Sequence, residues 1–123
     1  MAKRILYVED LEEWRSLVSS LLTPEGFEVV AAKDASEAMH AFDSAQFDLV
    51  ILDLRLERES GIMLMRFLKR NHPEVPILLY TGLDHDDTTI EHLLKEGAEG
   101  YLHKGKMEEL LTAVCSMTGL KQP

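Results

Sequence analysis

Leu49-Val50-Ile51-Leu52-Asp53 is a run of four aliphatic residues closed by an acid. A strand with one wet face alternates apolar and polar residues. An unbroken aliphatic run reads instead as a strand buried on both faces, as in a parallel sheet covered by helices. The same texture recurs outward from it, in Arg4 to Val8 and in Ile77 to Tyr80. Phe27 to Ala31 and Glu99 to Leu102 complete five short β-rich runs, the third taken from Asp48 to Leu52. Between and after them lie stretches of helical period. Leu11, Trp14, Leu17, Val18, Leu21 and Leu22 form one apolar stripe, stopped by Pro24 and Gly26. An Ala-rich helix follows from about Ala35, with Asp34 as its N-cap. Ser60-Gly61 opens a third helix that stops near His72-Pro73, Asp84 to Glu96 a fourth, and Met107 to Met117 a fifth. The alternation is (βα)5, an α/β fold, and right-handed crossovers make it a doubly wound three-layer sandwich around a parallel five-stranded sheet.

The rest of the composition agrees with one domain over residues 1–123. Apolar residues are 46% and charged residues 28%, the balance of an ordinary globular chain. Thirteen Lys and Arg against twenty-two Asp and Glu leave a net charge of −9. Such a chain repels phosphate backbone and anionic lipid, so direct nucleic-acid and membrane partners are not expected. No apolar run exceeds four residues, where a membrane helix needs ~20. Ile5-Leu6-Tyr7-Val8, cut off by Glu9-Asp10, is too short for a secretory signal core. Cys115 is the single cysteine and can form no internal disulfide, which suits a reducing cytoplasm.

In an open α/β sheet, ligands bind beyond the carboxyl ends of the strands. The first strand runs into Glu9-Asp10, the third into Asp53, the fourth into Thr81, and the fifth, after Tyr101-Leu102-His103, into Lys104. Three carboxylates in one crevice repel each other, and burial raises their pKa values. A hard divalent cation such as Mg²⁺ suits such oxygen ligands. Asp53, at the end of a central strand, is the carboxylate best placed to attack phosphorus and form an aspartyl phosphate. That transfer is mostly positioning and charge neutralisation, and Lys104 supplies a point charge for it.

Glu9-Asp10, Asp53, Thr81-Gly82 and Tyr101-x-x-Lys104, with Gly61 eight residues after Asp53, resemble the receiver domain of two-component response regulators (the CheY-like superfamily) over nearly the whole chain. The resemblance implies the strand order 2-1-3-4-5. It implies that Asp53 accepts phosphate from a histidine kinase or phosphotransfer protein. Glu9, Asp10, Asp53 and the backbone carbonyl of Arg55 would hold Mg²⁺, directly or through water. Lys104 would bind the acyl phosphate, Thr81 would swing toward it, and Tyr101 would turn inward. The fourth helix, fifth strand and fifth helix would present the altered surface to a downstream protein target or output domain, or to a second copy in a homodimer. Such a protein is a signalling switch and not a turnover enzyme.

Two positions depart from the family pattern. Gly105 replaces the proline that normally follows the lysine, which implies a looser Lys104 loop. Glu57 replaces another usual proline, in the charged segment Arg55 to Ser60. With Arg55 and Leu83 at positions where an acid or amide would orient water, slow loss of phosphate is expected. An aspartyl phosphatase would want a second acid where Arg55 stands, and a flavodoxin-like carrier a phosphate cradle where Leu11-Glu12-Glu13 stands. The remaining alternative is a receiver-fold interaction module acting without phosphorylation. Trp14 and the set Met63, Met65, Met107 and Met117 read as core packing, and the five histidines show no ligand spacing.

Overall fold

The aliphatic runs form one parallel sheet with helices on both faces. The computed structural model describes residues 2–56, 59–82 and 86–120. Its strands are β1 (Arg4–Val8), β2 (Glu28–Ala32), β3 (Leu49–Leu52), β4 (Ile77–Thr81) and β5 (Gly100–His103). They lie in the order β2-β1-β3-β4-β5, each neighbouring pair parallel. The helices are α1 (Glu12–Leu22), α2 (Ala35–Ser44), α3 (Gly61–Asn71), α4 (Asp87–Lys95) and α5 (Met107–Thr118).

Successive side chains of each inner strand enter different cores, which explains the missing alternation. Leu6, Val8, Val50 and Leu52 pack with Ala38 of α2, Leu64, Met65 and Leu68 of α3, and Leu93 of α4. Ile5, Tyr7, Leu49 and Ile51 turn the other way, onto Val18 and Leu22 of α1 and Leu110, Val114 and Cys115 of α5. Each such side chain, fully buried, contributes about 1.5–3 kcal/mol. A charge inside a run would forfeit that, so the acids stand only where the strands end.

Local signals set the helix starts. Asp34 caps α2 by accepting the Glu37 N–H at 2.8 Å, Ser60 caps α3 through Met63 at 3.4 Å, and Asp86 caps α4 through Thr89 at 2.7 Å. Leu11 precedes α1 and has no capping side chain. Glu9 substitutes for it, taking the Leu11 N–H at 3.3 Å.

Several expectations are corrected. A 3₁₀ turn, Thr23–Glu25, follows α1 before Gly26. Helix α4 begins at Asp87, later than the expected Asp84. The charged segment after Asp53 forms a short antiparallel ribbon, Arg55–Leu56 with Glu59–Ser60. Met63 is 63% exposed and Leu17 48% exposed, so neither is core. Both lie on helices whose buried face is narrower than their apolar stripe. The expectations placed on Glu57, Leu83 and His85 fall outside the described residues.

Gly61 brings α3 against the end of β3. A Cβ there would meet the Asp53 carbonyl oxygen and the Leu54 Cα, each at 2.5 Å, and the Gly61 N–H bonds the Leu54 carbonyl at 3.1 Å. Since the obstruction is backbone, only a shift of the Asp53 segment could relieve it. Gly61→Ala is therefore expected to destabilise the fold by about 1–3 kcal/mol, read as a lower urea midpoint.

Candidate functional site

The sheet fixes the backbone of the reactive residues one step past each strand. Glu9 N–H bonds the Ala32 carbonyl at 2.9 Å, Asp53 N–H the Val8 carbonyl at 3.1 Å, and Lys104 N–H the Thr81 carbonyl at 2.8 Å. All three thus leave the same edge.

Their side chains meet there. The Lys104 ammonium contacts Glu9 Oε1 and lies 2.8 Å from Asp53 Oδ2, with side-chain exposures of 8% for the lysine and 5% for Asp53. Asp53 Oδ1 accepts the Arg55 backbone N–H at 2.9 Å. Glu9 is fully buried and also accepts the Tyr7 hydroxyl at 3.2 Å. Burial pushes the Glu9 carboxyl up to about 7; the Lys104 hydrogen bond works against this, while Asp10 and Asp53 add to it. The Tyr7 hydroxyl is raised as well, first by burial and then by the Glu9 charge.

A cavity of about 610 Å³ opens over this cluster, lined by Asp10, Leu11, Trp14, Asp53, Arg55, Gly82 and Lys104. Carboxylate oxygens of Glu9, Asp10 and Asp53 lie within 4.8 Å of one another. That oxygen-only donor set fits a hard divalent cation. The acids stand in two ranks, with Asp10 and Asp53 on the cavity wall and Glu9 behind them. Thr81 is buried beside Gly82, at the end of β4. Tyr101 is half-buried on β5, level with Leu79 and packed toward the α3 and α4 side, so it does not line this cavity. A second cavity of about 600 Å³ lies around Phe42, Phe47, Asp48 and His72, and among its described lining residues none is a cation-paired carboxylate of this kind.

Trp14 packs against the α1 core as its spacing implies, and it makes a second contact that the sequence did not show. Its ring stands under the Lys104 ammonium, 4.6 Å from Nζ to the centroid, and on the cavity wall as well as against the α1 core. An indole at helical spacing reads the same in both roles, and only the nearness of α1's first turn to Glu9-Asp10 hinted at the second.

The loop after Lys104 is tied, contrary to expectation. Gly105 sits at φ +127°, and its N–H donates to the Tyr80 hydroxyl at 3.3 Å. Proline could do neither, having no N–H and a fixed negative φ. Gly105→Pro is thus expected to cost about 2 kcal/mol or more and not to tighten the loop, as seen by chemical denaturation.

The buried Glu9 also sets a pH dependence. Its folded pKa lies above the unfolded value of 4.5, so the folded chain binds more protons between those values. Its contribution to stability is full below about 4.5 and is lost as pH rises through about 7. In metal-free buffer, Glu9→Gln should flatten the fall of Tm from pH 5 to pH 8, removing a contribution on the order of 2–3 kcal/mol. An unchanged slope would contradict this.

The model of the response regulator receiver domain matches residues 5–115. Over 106 residues the chain is 33% identical to the nitrogen assimilation regulatory protein NtrX of Azorhizobium caulinodans, covering 85% of this chain and 23% of that protein. It is also 33% identical over 106 residues to the phosphate regulon transcriptional regulatory protein PhoB of Escherichia coli, covering 85% and 46%. The chain thus spans less than half the length of either relative. The crystal structure of the receiver domain of NtrX from Brucella abortus, 30% identical, superposes with a TM-score of 0.85 over 95% of this chain and 99% of that one. Fold, strand order, acidic cluster and relatives agree: the chain belongs to the response regulator receiver domains of two-component systems.

Proposed function

We propose that this receiver domain takes a phosphoryl group onto Asp53 from the phosphohistidine of a histidine kinase or phosphotransfer protein, in the cytoplasm and with Mg²⁺. The observation that carries this is the Lys104 ammonium 2.8 Å from Asp53 Oδ2, on a cavity wall shared with Asp10. An Asp53 carboxylate oxygen forms a bond to phosphorus while the bond from phosphorus to the donor's imidazole nitrogen breaks. The imidazole leaves with the bonding pair. Lys104 stays beside Asp53 and neutralises charge on the transferred group. Mg²⁺, when bound, would neutralise the remaining phosphoryl oxygens; Asp10, Asp53 and the Arg55 carbonyl are the residues to hold it, with Glu9 behind them or reaching it through water.

The new phosphate would draw the Thr81 hydroxyl toward it, and Tyr101 would turn into the vacated space. Both moves bias a two-state surface made of α4, β5 and α5. A downstream protein, an output domain or a second copy would read that surface. With Arg55 two residues after Asp53, no second acid stands where an aspartyl phosphatase would want its proton donor. The domain is accordingly a switch and not a turnover enzyme.

Incubation with Mg²⁺ and acetyl phosphate should add one phosphoryl group by intact mass, and Asp53→Ala should abolish it. The adduct should persist for minutes or longer, since neither Arg55 nor Leu83 offers water an acid or amide. Decay within seconds would contradict that lifetime. A wild-type mass unchanged at millimolar Mg²⁺ would overturn the phosphoacceptor reading in favour of an interaction module that works without phosphate.

A further inference from the structure

We infer that Trp14 is a positioning residue for the Lys104 ammonium, and that Tyr80, packed against the same indole, anchors the loop that carries the lysine. The consequence for phosphoryl transfer rests on the phosphoacceptor reading above; the geometry does not.

A lysine carries its charge on a flexible four-carbon stem. Among the described residues, this charge is met by Glu9, Asp53 and the indole face. The two carboxylates fix it from the sheet side. The indole, 4.6 Å away and well inside the ~6 Å reach of a cation–π contact, adds a contact from α1. Trp14 is itself held by Tyr80, whose ring meets it edge-on at 6.1 Å and 81°. The buried Tyr80 then hands the constraint on. Its hydroxyl accepts the Gly105 N–H and donates to Met107 Sδ at 3.6 Å, at the start of α5. One aromatic pair therefore spans α1, the lysine, its loop and α5, at the point where the family's proline is absent.

Plain core packing would need only apolar bulk at position 14. Cation positioning needs a ring face, and two substitutions separate the possibilities. Trp14→Leu keeps an apolar side chain, though a smaller one, and removes the face; Trp14→Phe keeps a smaller face. In proton NMR of the metal-free chain, the Lys104 ε-methylene should resonate upfield of an ordinary lysine, less so in Trp14→Phe, and at the ordinary position in Trp14→Leu. With acetyl phosphate and Mg²⁺, the maximal rate of Asp53 modification should fall roughly fivefold in Trp14→Leu, the scale of one lost cation–π contact, and recover in part in Trp14→Phe. Apparent Mg²⁺ affinity should stay within about twofold, because the acids are placed by the sheet. An unshifted Lys104 signal in the wild type, or the same shift in Trp14→Leu, overturns the inference; so does an unchanged rate in Trp14→Leu. If the wild type takes no phosphate, the phosphoacceptor reading fails and the resonance alone decides on Trp14. Should Trp14→Leu fail to fold, Trp14→Phe against wild type decides it by the same two readouts.

Discussion

Carboxylates gathered at one edge of a sheet repel, and within 4.8 Å the repulsion of one pair is on the order of 3 kcal/mol at an effective dielectric of about 20. Lys104 is the cation whose charge meets two of these carboxylates, Glu9 and Asp53. It reaches Asp53 across 51 positions of sequence and Glu9 across 95. Those separations close only if β5 lies beside β4 and β4 beside β3, with the chain returning through every crossover helix between. A buried ion cluster of this kind seldom adds net stability, because desolvation consumes much of the attraction. The two apolar layers offset it, and the cluster persists as chemistry held in place by a core that does not need it.

The apolar layer shared by α1 and α5 also reaches into the site. Tyr7 and Tyr80 both bury their rings there and carry their hydroxyls to the carboxyl edge, onto Glu9 and Gly105 respectively. Glu9 is consequently met by a phenol, a backbone N–H and an ammonium. That saturation explains its place behind Asp10 and Asp53. Burial holds the Glu9 carboxyl well above the usual carboxylate range there, while Asp10 and Asp53 supply the oxygens on the cavity wall.

Much of this was legible in the sequence, for definite reasons. Unbroken runs such as Leu49 to Leu52 announce strands covered on both faces, and the residue that ends each run has little choice about which edge it joins. Hence Glu9, Asp10, Asp53 and Lys104 come together as read. What was not legible depends on distances between helices and sheet. Trp14 has the spacing of a core residue and also touches the core, so nothing in its period separates the two roles. Met63 and Leu17 belong to apolar stripes wider than the faces α3 and α1 bury. The ribbon at Arg55–Leu56 and Glu59–Ser60 had no sequence signal, since Glu57-Arg58 includes none of the Gly, Asn or Pro that mark a tight turn. The hydrogen bond from Gly105 to Tyr80 links residues whose types, a glycine and an apolar-strand tyrosine, suggest no pairing.

Gly105 shows how the loop after Lys104 can be tied by another route. A proline constrains a loop covalently, through its ring and wherever the loop lies. Glycine constrains nothing by itself and has more backbone freedom to lose on folding. At φ +127°, however, it presents an N–H that proline lacks, and the Tyr80 hydroxyl takes it. Rigidity of the Lys104 loop thereby becomes a tertiary property, conditional on Tyr80 and on the indole packed against it. Burial raises the Tyr80 phenol above its ordinary pKa, although the Gly105 bond and the Lys104 charge oppose this. The hydroxyl therefore keeps its proton through the neutral range and can accept from Gly105 and donate toward Met107 at once. In this chain the contacts that join Lys104 to the start of α5 thus run through side chains, those of Trp14, Tyr80 and Met107, where the family pattern has a proline.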